Sequence, residues 1–130
     1  MIKYPNPDRI IEYNLLALTI IKVKKADQPK VLSRAKIIGV IEDMQKCTGD
    51  IYDKSEVLLK GIIQKHPFAS GNRRTALIVT KEFLKNNGKI LNIVDDPEHA
   101  RTMLGIREGY YSDEEIKGWI KNGKIREFKR

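Results

Sequence analysis

Between two apolar, helix-patterned stretches the chain reads His66-Pro67-Phe68-Ala69-Ser70-Gly71-Asn72-Arg73-Arg74-Thr75-Ala76. Ser70–Thr75 has the character of a helix start, where free backbone N–H groups and the positive end of the helix dipole attract anions. Acids are the ordinary residues of a first turn. Here two arginines stand there instead, each disfavoured by ~0.3–1 kcal/mol, and a bound anion resolves the conflict. Gly71 allows close backbone approach, and Asn72 carries an amide that can donate. The segment therefore predicts a phosphate cradle made by Gly71, Asn72, Arg73 and Arg74. His66, a short loop earlier, has the near-neutral pKa of a general base and could take a proton from an attacking hydroxyl. Phe68 is expected to anchor the loop with its ring in the core.

The elements that must hold this loop read as helices almost throughout. Asn6-Pro7-Asp8 has an N-cap, a first-turn proline and a first-turn acid, and Ile10, Ile11, Tyr13, Leu15, Leu16, Leu18, Ile20 and Val23 supply an apolar face. Lys24–Lys30 interrupts the pattern as a loop. Ser33 caps a second helix through Ile37, Val40, Ile41 and Met44, ending near Thr48-Gly49. Asp53-Lys54-Ser55-Glu56 has the spacing of a capping box for a third helix, which must end near His66 because Pro67 disfavours helix at the residue before it. A fourth helix starts near Asn72 and stops at Asn86-Asn87-Gly88. Lys89–Val94 reads as a short strand or extended segment. Asp96-Pro97-Glu98 opens a fifth helix, and Ser112-Asp113-Glu114-Glu115 is a second capping box opening a sixth. The expected fold is all-α: a compact bundle of about six helices with a short flap or extended segment. Residues 1–121 form a single domain, and residues 122–130 a basic, mobile tail.

The bulk numbers fit this. One core is feasible at 130 residues without staples. The single cysteine, Cys47, excludes an intrachain disulfide, and no apolar run approaches the roughly 20 residues of a membrane helix. With no secretory signal pattern after Met1, the expectation is a cytoplasmic protein without a membrane partner. The net charge of +8 favours polyanionic partners. No aromatic stacking pattern or nucleic-acid motif accompanies the charge, so nucleic acid is not the expected partner. His99 has no histidine or cysteine at ligand spacing, and Trp119 and Cys47 read as packing residues.

The His66–Ala76 segment resembles the Fic/Doc signature, H-x-F-x-[DE]-[GA]-N-[GK]-R, and most closely its Doc branch (death-on-curing), which continues Lys-Arg-Thr-Ala. The helix before it from Tyr52 and the Phe83-Leu84-Lys85-Asn86-Asn87-Gly88 ending after it extend the resemblance over residues 52–88. The resemblance implies a Fido-type helical fold with the motif between two central helices. It implies that His66 is the catalytic base toward a hydroxyl of a target protein. Gly71, Asn72, Arg73 and Arg74 would hold the phosphates of ATP or another nucleoside triphosphate. In the AMP-transferring branch the nucleotide gives AMP; in the Doc branch it gives its terminal phosphate, with a translation factor as the target. Arg73, where Doc-like members have Lys and AMP-transferring members Gly, favours the Doc branch. So does Leu77, where AMP-transferring members carry a further arginine.

Ser70 cuts the other way. It stands where the family has the Asp or Glu that helps hold magnesium, and a neutral hydroxyl is a weaker metal ligand. The reading is thus a Doc-like kinase acting as the toxin of a toxin–antitoxin pair. The alternatives are an AMP-transferring Fic enzyme and a non-catalytic nucleotide- or anion-binding module. The family's internal inhibitory signature, Ser/Thr-x-x-x-Glu-Gly/Asn, does not occur, so inhibition is expected from a separate antitoxin protein. Lys24–Arg34 falls where family members have a target-docking flap, and its basic character suits an acidic target segment.

Overall fold

A computed structural model describes residues 1–20, 30–94 and 97–129. Six helices follow in order: α1 (Pro7–Ile20), α2 (Arg34–Lys46), α3 (Ile51–Lys65), α4 (Asn72–Asn86), α5 (His99–Arg107) and α6 (Asp113–Asn122). No strand forms among the described residues, and the all-α expectation holds. No described helix is long and apolar enough to cross a membrane.

Most boundaries follow from capping chemistry. The Asn6 side chain accepts from the Arg9 N–H at 2.8 Å and opens α1. Ser33 accepts from the Lys36 N–H and opens α2, and Ser112 with Glu115 forms the expected capping box of α6. The box of α3 lies one turn earlier than expected. Asp50 is its N-cap and Asp53 the reciprocating acid, which frees Glu56 to face inward. The end of α2 also comes earlier, at Lys46, because Lys54 from α3 closes it. Lys54 is only 4% exposed, and its Nζ donates to the carbonyls of Met44, at 2.9 Å, and Cys47. A buried cation there satisfies orphan carbonyls and opposes the negative end of the α2 dipole.

The central helix is α3, which packs on α2, α4, α5 and α6; α1 lies across α4 and α2. Its inward stripe of Leu58, Leu59, Ile62 and Ile63 meets Ile37, Val40 and Met44 of α2 and Ala76, Val79 and Phe83 of α4 in one core. Each such side chain contributes on the order of 1.5–3 kcal/mol by leaving water. In α1 the buried stripe is Ile10, Asn14, Ala17 and Leu18, whereas Leu15 and Leu16, expected on the apolar face, are exposed. Val23 and the Lys24–Pro29 part of the expected loop lie outside the described residues.

Of the two forms expected for Lys89–Val94, a short strand or an extended segment, the strand does not form: the segment is laid against the end of α6, where Asn92 N–H donates to the Ile120 carbonyl at 2.9 Å and its side chain to that of Lys121. Residues 123–129 are not a free tail. Phe128 is buried against Tyr110 and α5, Tyr111 Oη donates to the Arg126 carbonyl, and Arg101 Nε donates to the Phe128 carbonyl. Gly105 makes room for this packing, since a Cβ there would lie 2.6 Å from the Tyr111 ring.

The inward turn of Glu56 has a measurable consequence. Glu56 is 4% exposed, 3.3 Å from Lys60 and beside Asp113 of α6. Burial, and then its hydrogen bond with Asp113, push its carboxyl up to about 7. The Lys60 and Glu56 hydrogen bonds hold Asp113 below its ordinary range. The proton therefore sits on Glu56 and the charge on Asp113. Between pH 4.5, the ordinary value for Glu56, and about 7 the folded state holds a proton that the unfolded chain has released, so stability falls as pH rises through that window. Asp113 acts in the opposite sense, and only below its ordinary 3.8. Urea unfolding of the wild type is expected to show a loss on the order of 1–3 kcal/mol between pH 5 and pH 8. Glu56→Gln should flatten that dependence.

Candidate active site

The loop between α3 and α4 is held from three sides. His66 is the C-cap of α3, with φ 53 and ψ 58, and its N–H donates to the Ile62 carbonyl at 3.2 Å. It is the one described non-glycine residue in the left-handed region. Its placement at the end of α3 matches the stop expected from Pro67. From the flank, the segment before α2 forms an antiparallel bridge, Val31 with Phe68. Leu32 and Ser33 N–H groups donate to the Pro67 carbonyl, and Ala69 N–H to that of Lys30. Of the expected flap at Lys24–Arg34, this Lys30–Ser33 strap is the part seen ahead of α2. From inside, the ring of Phe68 is fully buried in the core, the anchor expected of it.

The cradle residues divide into those that face the cavity and those that build it. Asn72 is 4% exposed, and its side chain closes a ring on the loop: Oδ1 accepts from the Phe68 N–H at 3.0 Å and Nδ2 donates to the Phe68 carbonyl at 2.9 Å. Its amide thus holds the loop's own backbone, and Nδ2 carries a second N–H beyond the one given to Phe68. Gly71 is the N-cap of α4 at φ 77. A Cβ there would lie 3.1 Å from Leu18 and 3.2 Å from Asn14 Nδ2. Close packing on α1, together with the left-handed backbone, explains this glycine without reference to a ligand. Ser70 is half-buried and lines the cavity.

Capping separates α4 from α2, α3 and α6, each of which closes its N-terminus with a side chain. In α4 no side chain caps the N-terminus and no acid stands in the first turn. Asn72, Arg73 and Arg74 of that turn line a cavity of about 470 Å³, as do His66 and Ser70. The opposite wall is a stripe of α5, His99, Ala100, Met103 and Arg107, and Leu77 adds an apolar patch. Partial burial, followed by the charges of Arg107, Lys36 and Arg73, holds the His66 imidazole below its ordinary range. A neutral imidazole beside an uncapped, cationic helix start is equipped to bind a polyanion and accept a proton next to it.

Sequence reasoning missed three parts of this site. Asn14 is 2% exposed, and its Nδ2 donates to the Ser70 carbonyl at 2.8 Å and to Thr75 Oγ1 at 3.1 Å, tying the loop to α1. Its signal was present: a lone amide between Ile10 and Leu18 in an apolar stripe. His99 and Arg107 reach the cavity only through the packing of α5, and nothing local in their sequence marks them. Comparison with curated proteins finds no match. The model of the Fic/DOC family matches residues 5–84, well over half of the chain and the whole of α1 through the motif, and the chain belongs to that family.

Proposed function

We propose that the chain is a Doc-like protein phosphotransferase that moves the terminal phosphate of ATP to a hydroxyl of a target protein. Family membership supports nucleotide-dependent transfer in general; phosphoryl transfer is the finer reading. The observation that carries it is Leu77. It lines the cavity one turn beyond Arg73, so an apolar side chain occupies the position where an AMP-transferring relative would extend the cationic set. The positive groups of α4 that face the cavity are concentrated in its first turn, suited to the end of a polyphosphate.

In this reading His66 takes the proton of the target hydroxyl. Its oxygen bonds to the γ-phosphorus as the bond to the bridging oxygen breaks, and ADP leaves. Arg73, Arg74 and the N–H groups of the first turn of α4 hold the phosphates; Asn72 and Gly71 keep the loop in place. The target, read as a translation factor, would approach past the Lys30–Ser33 strap. The activity is that of a toxin, restrained by a separate antitoxin protein. Incubating the chain with cell extract and ATP labelled at either end tests this: protein label from the γ but not the α position is expected. Label from the α position instead means AMP transfer, and no label from either overturns both.

One observation favours a second reading, a binding module without catalysis. Ser70 faces the cavity where the family carries an acid. In that case Ser70→Asp should create label transfer that the wild type lacks.

A further inference from the structure

The donor set of the cavity is unsuited to a divalent cation. Magnesium takes an octahedron of oxygens, commonly including one or two carboxylates. Among the described residues no Asp or Glu lines the cavity, while Arg73, Arg74 and Arg107 do. No group of three His, Cys, Asp or Glu side chains gathers anywhere among those residues. The amide oxygen of Asn72 is engaged by the Phe68 N–H, and the Ser70 carbonyl by Asn14. That leaves the neutral Ser70 hydroxyl as a ligand, in a field of cations that repels a further positive charge.

The fold places Arg107 for the opposite role. Gln64 Nε2, two residues before His66, donates to the Ile106 carbonyl at 2.9 Å and fixes the end of α5 against the end of α3. Arg107 follows directly, and its charge reaches the His66 imidazole. Arg9, Arg34 and Arg126 each hold a carboxylate, whereas Arg73 and Arg107 form no ion pair or side-chain hydrogen bond with any described residue. Two guanidinium groups without a carboxylate partner among the described residues, one from α4 and one from α5, match the spread charge of a polyphosphate.

We propose that this site takes its polyphosphate without a metal, with Arg107 joining Arg73 and Arg74 to neutralise the charge that magnesium would otherwise balance. The inference rests on the nucleotide reading above and adds Arg107 as a ligand residue. Magnesium then competes with the arginines for the phosphate oxygens instead of assisting them.

Calorimetric titration of the full chain with ATP, and separately with inorganic tripolyphosphate, in EDTA and in excess magnesium tests it. Binding in EDTA at least as tight as in magnesium is expected, and tightening by magnesium overturns the proposal. Arg107→Ala is expected to weaken both ligands about tenfold or more, the loss of a charge-assisted contact; an unchanged affinity removes Arg107 from the site. Its exposed side chain makes an unaltered thermal unfolding midpoint the control for folding. Ser70→Asp should convert the wild type's behaviour into binding that magnesium tightens. Tripolyphosphate binding without ATP binding defeats the nucleotide reading and leaves the metal-free cradle standing. Binding of neither ligand overturns the proposal itself.

Discussion

Replacing His66 by alanine is expected to lower phosphoryl transfer by about 10²–10⁴-fold, the ordinary contribution of a positioned general base, with little change in polyphosphate affinity. The split follows from the geometry. His66 belongs to α3, while the groups assigned to phosphate belong to α4 and α5. The pH profile carries a sharper signature. The working form is the neutral imidazole, and burial with Arg107, Lys36 and Arg73 holds its pKa below the ordinary 6.5. The acid limb of kcat/KM, which reports the free enzyme, should therefore lie below pH 6.5. Lys36→Gln removes a repelling charge and should move that limb upward. Bound polyphosphate adds negative charge, so the limb of kcat should lie above that of kcat/KM. A structural histidine would show neither displacement.

The backbone of His66 gives an independent check. A left-handed conformation costs an L-residue with a Cβ about 1–2 kcal/mol relative to glycine. Histidine at φ 53 is thus retained against backbone preference. In urea unfolding, His66→Gly is expected to be more stable than His66→Ala by about 1 kcal/mol, while both lack the base. Equal stability would mean that the position stores no strain.

What the sequence displayed, and what it concealed, follows the range of the interactions. Helix starts at Asn6, Ser33 and Ser112 were legible because a cap is a contact over three residues. The α3 box was misplaced by a turn because Asp50 and Asp53 offer the same spacing as Asp53 and Glu56. That choice is made by tertiary structure, where Glu56 meets Asp113. The packed segment after Asn122 was illegible because its basic composition disguised Phe128, whose burial depends on space beside Gly105. In the site, His66, Phe68 and the α4 start were legible from the motif. Asn72 and Gly71 were found by position, but their structural work points inward, to Phe68 and to α1. Arg107 required knowledge of how α5 packs, which no local pattern encodes.

The inward role of Asn72 leads to the largest expected loss of stability. Asn72→Ala strips two partners at once, leaving the N–H and carbonyl of a fully buried Phe68 without hydrogen bonds. Each abandoned buried group costs about 1–3 kcal/mol, so a loss of about 2–6 kcal/mol is expected in urea unfolding. Asn72→Asp separates the two halves of the clamp. Its carboxylate still accepts from the Phe68 N–H but turns an oxygen toward the Phe68 carbonyl, and it sets a negative charge beside the arginines. In stability it should fall at or below the alanine variant, because a buried charge facing an acceptor is worse than an absent one. Phosphate binding separates this positional role from direct contact. If Asn72 acts by holding the loop, Ser70→Ala, which leaves the clamp intact, should retain affinity for tripolyphosphate while Asn72→Ala loses it. If tripolyphosphate stabilises Asn72→Ala as strongly as the wild type, the cradle forms without the clamp, and the first turn of α4 is sufficient by itself.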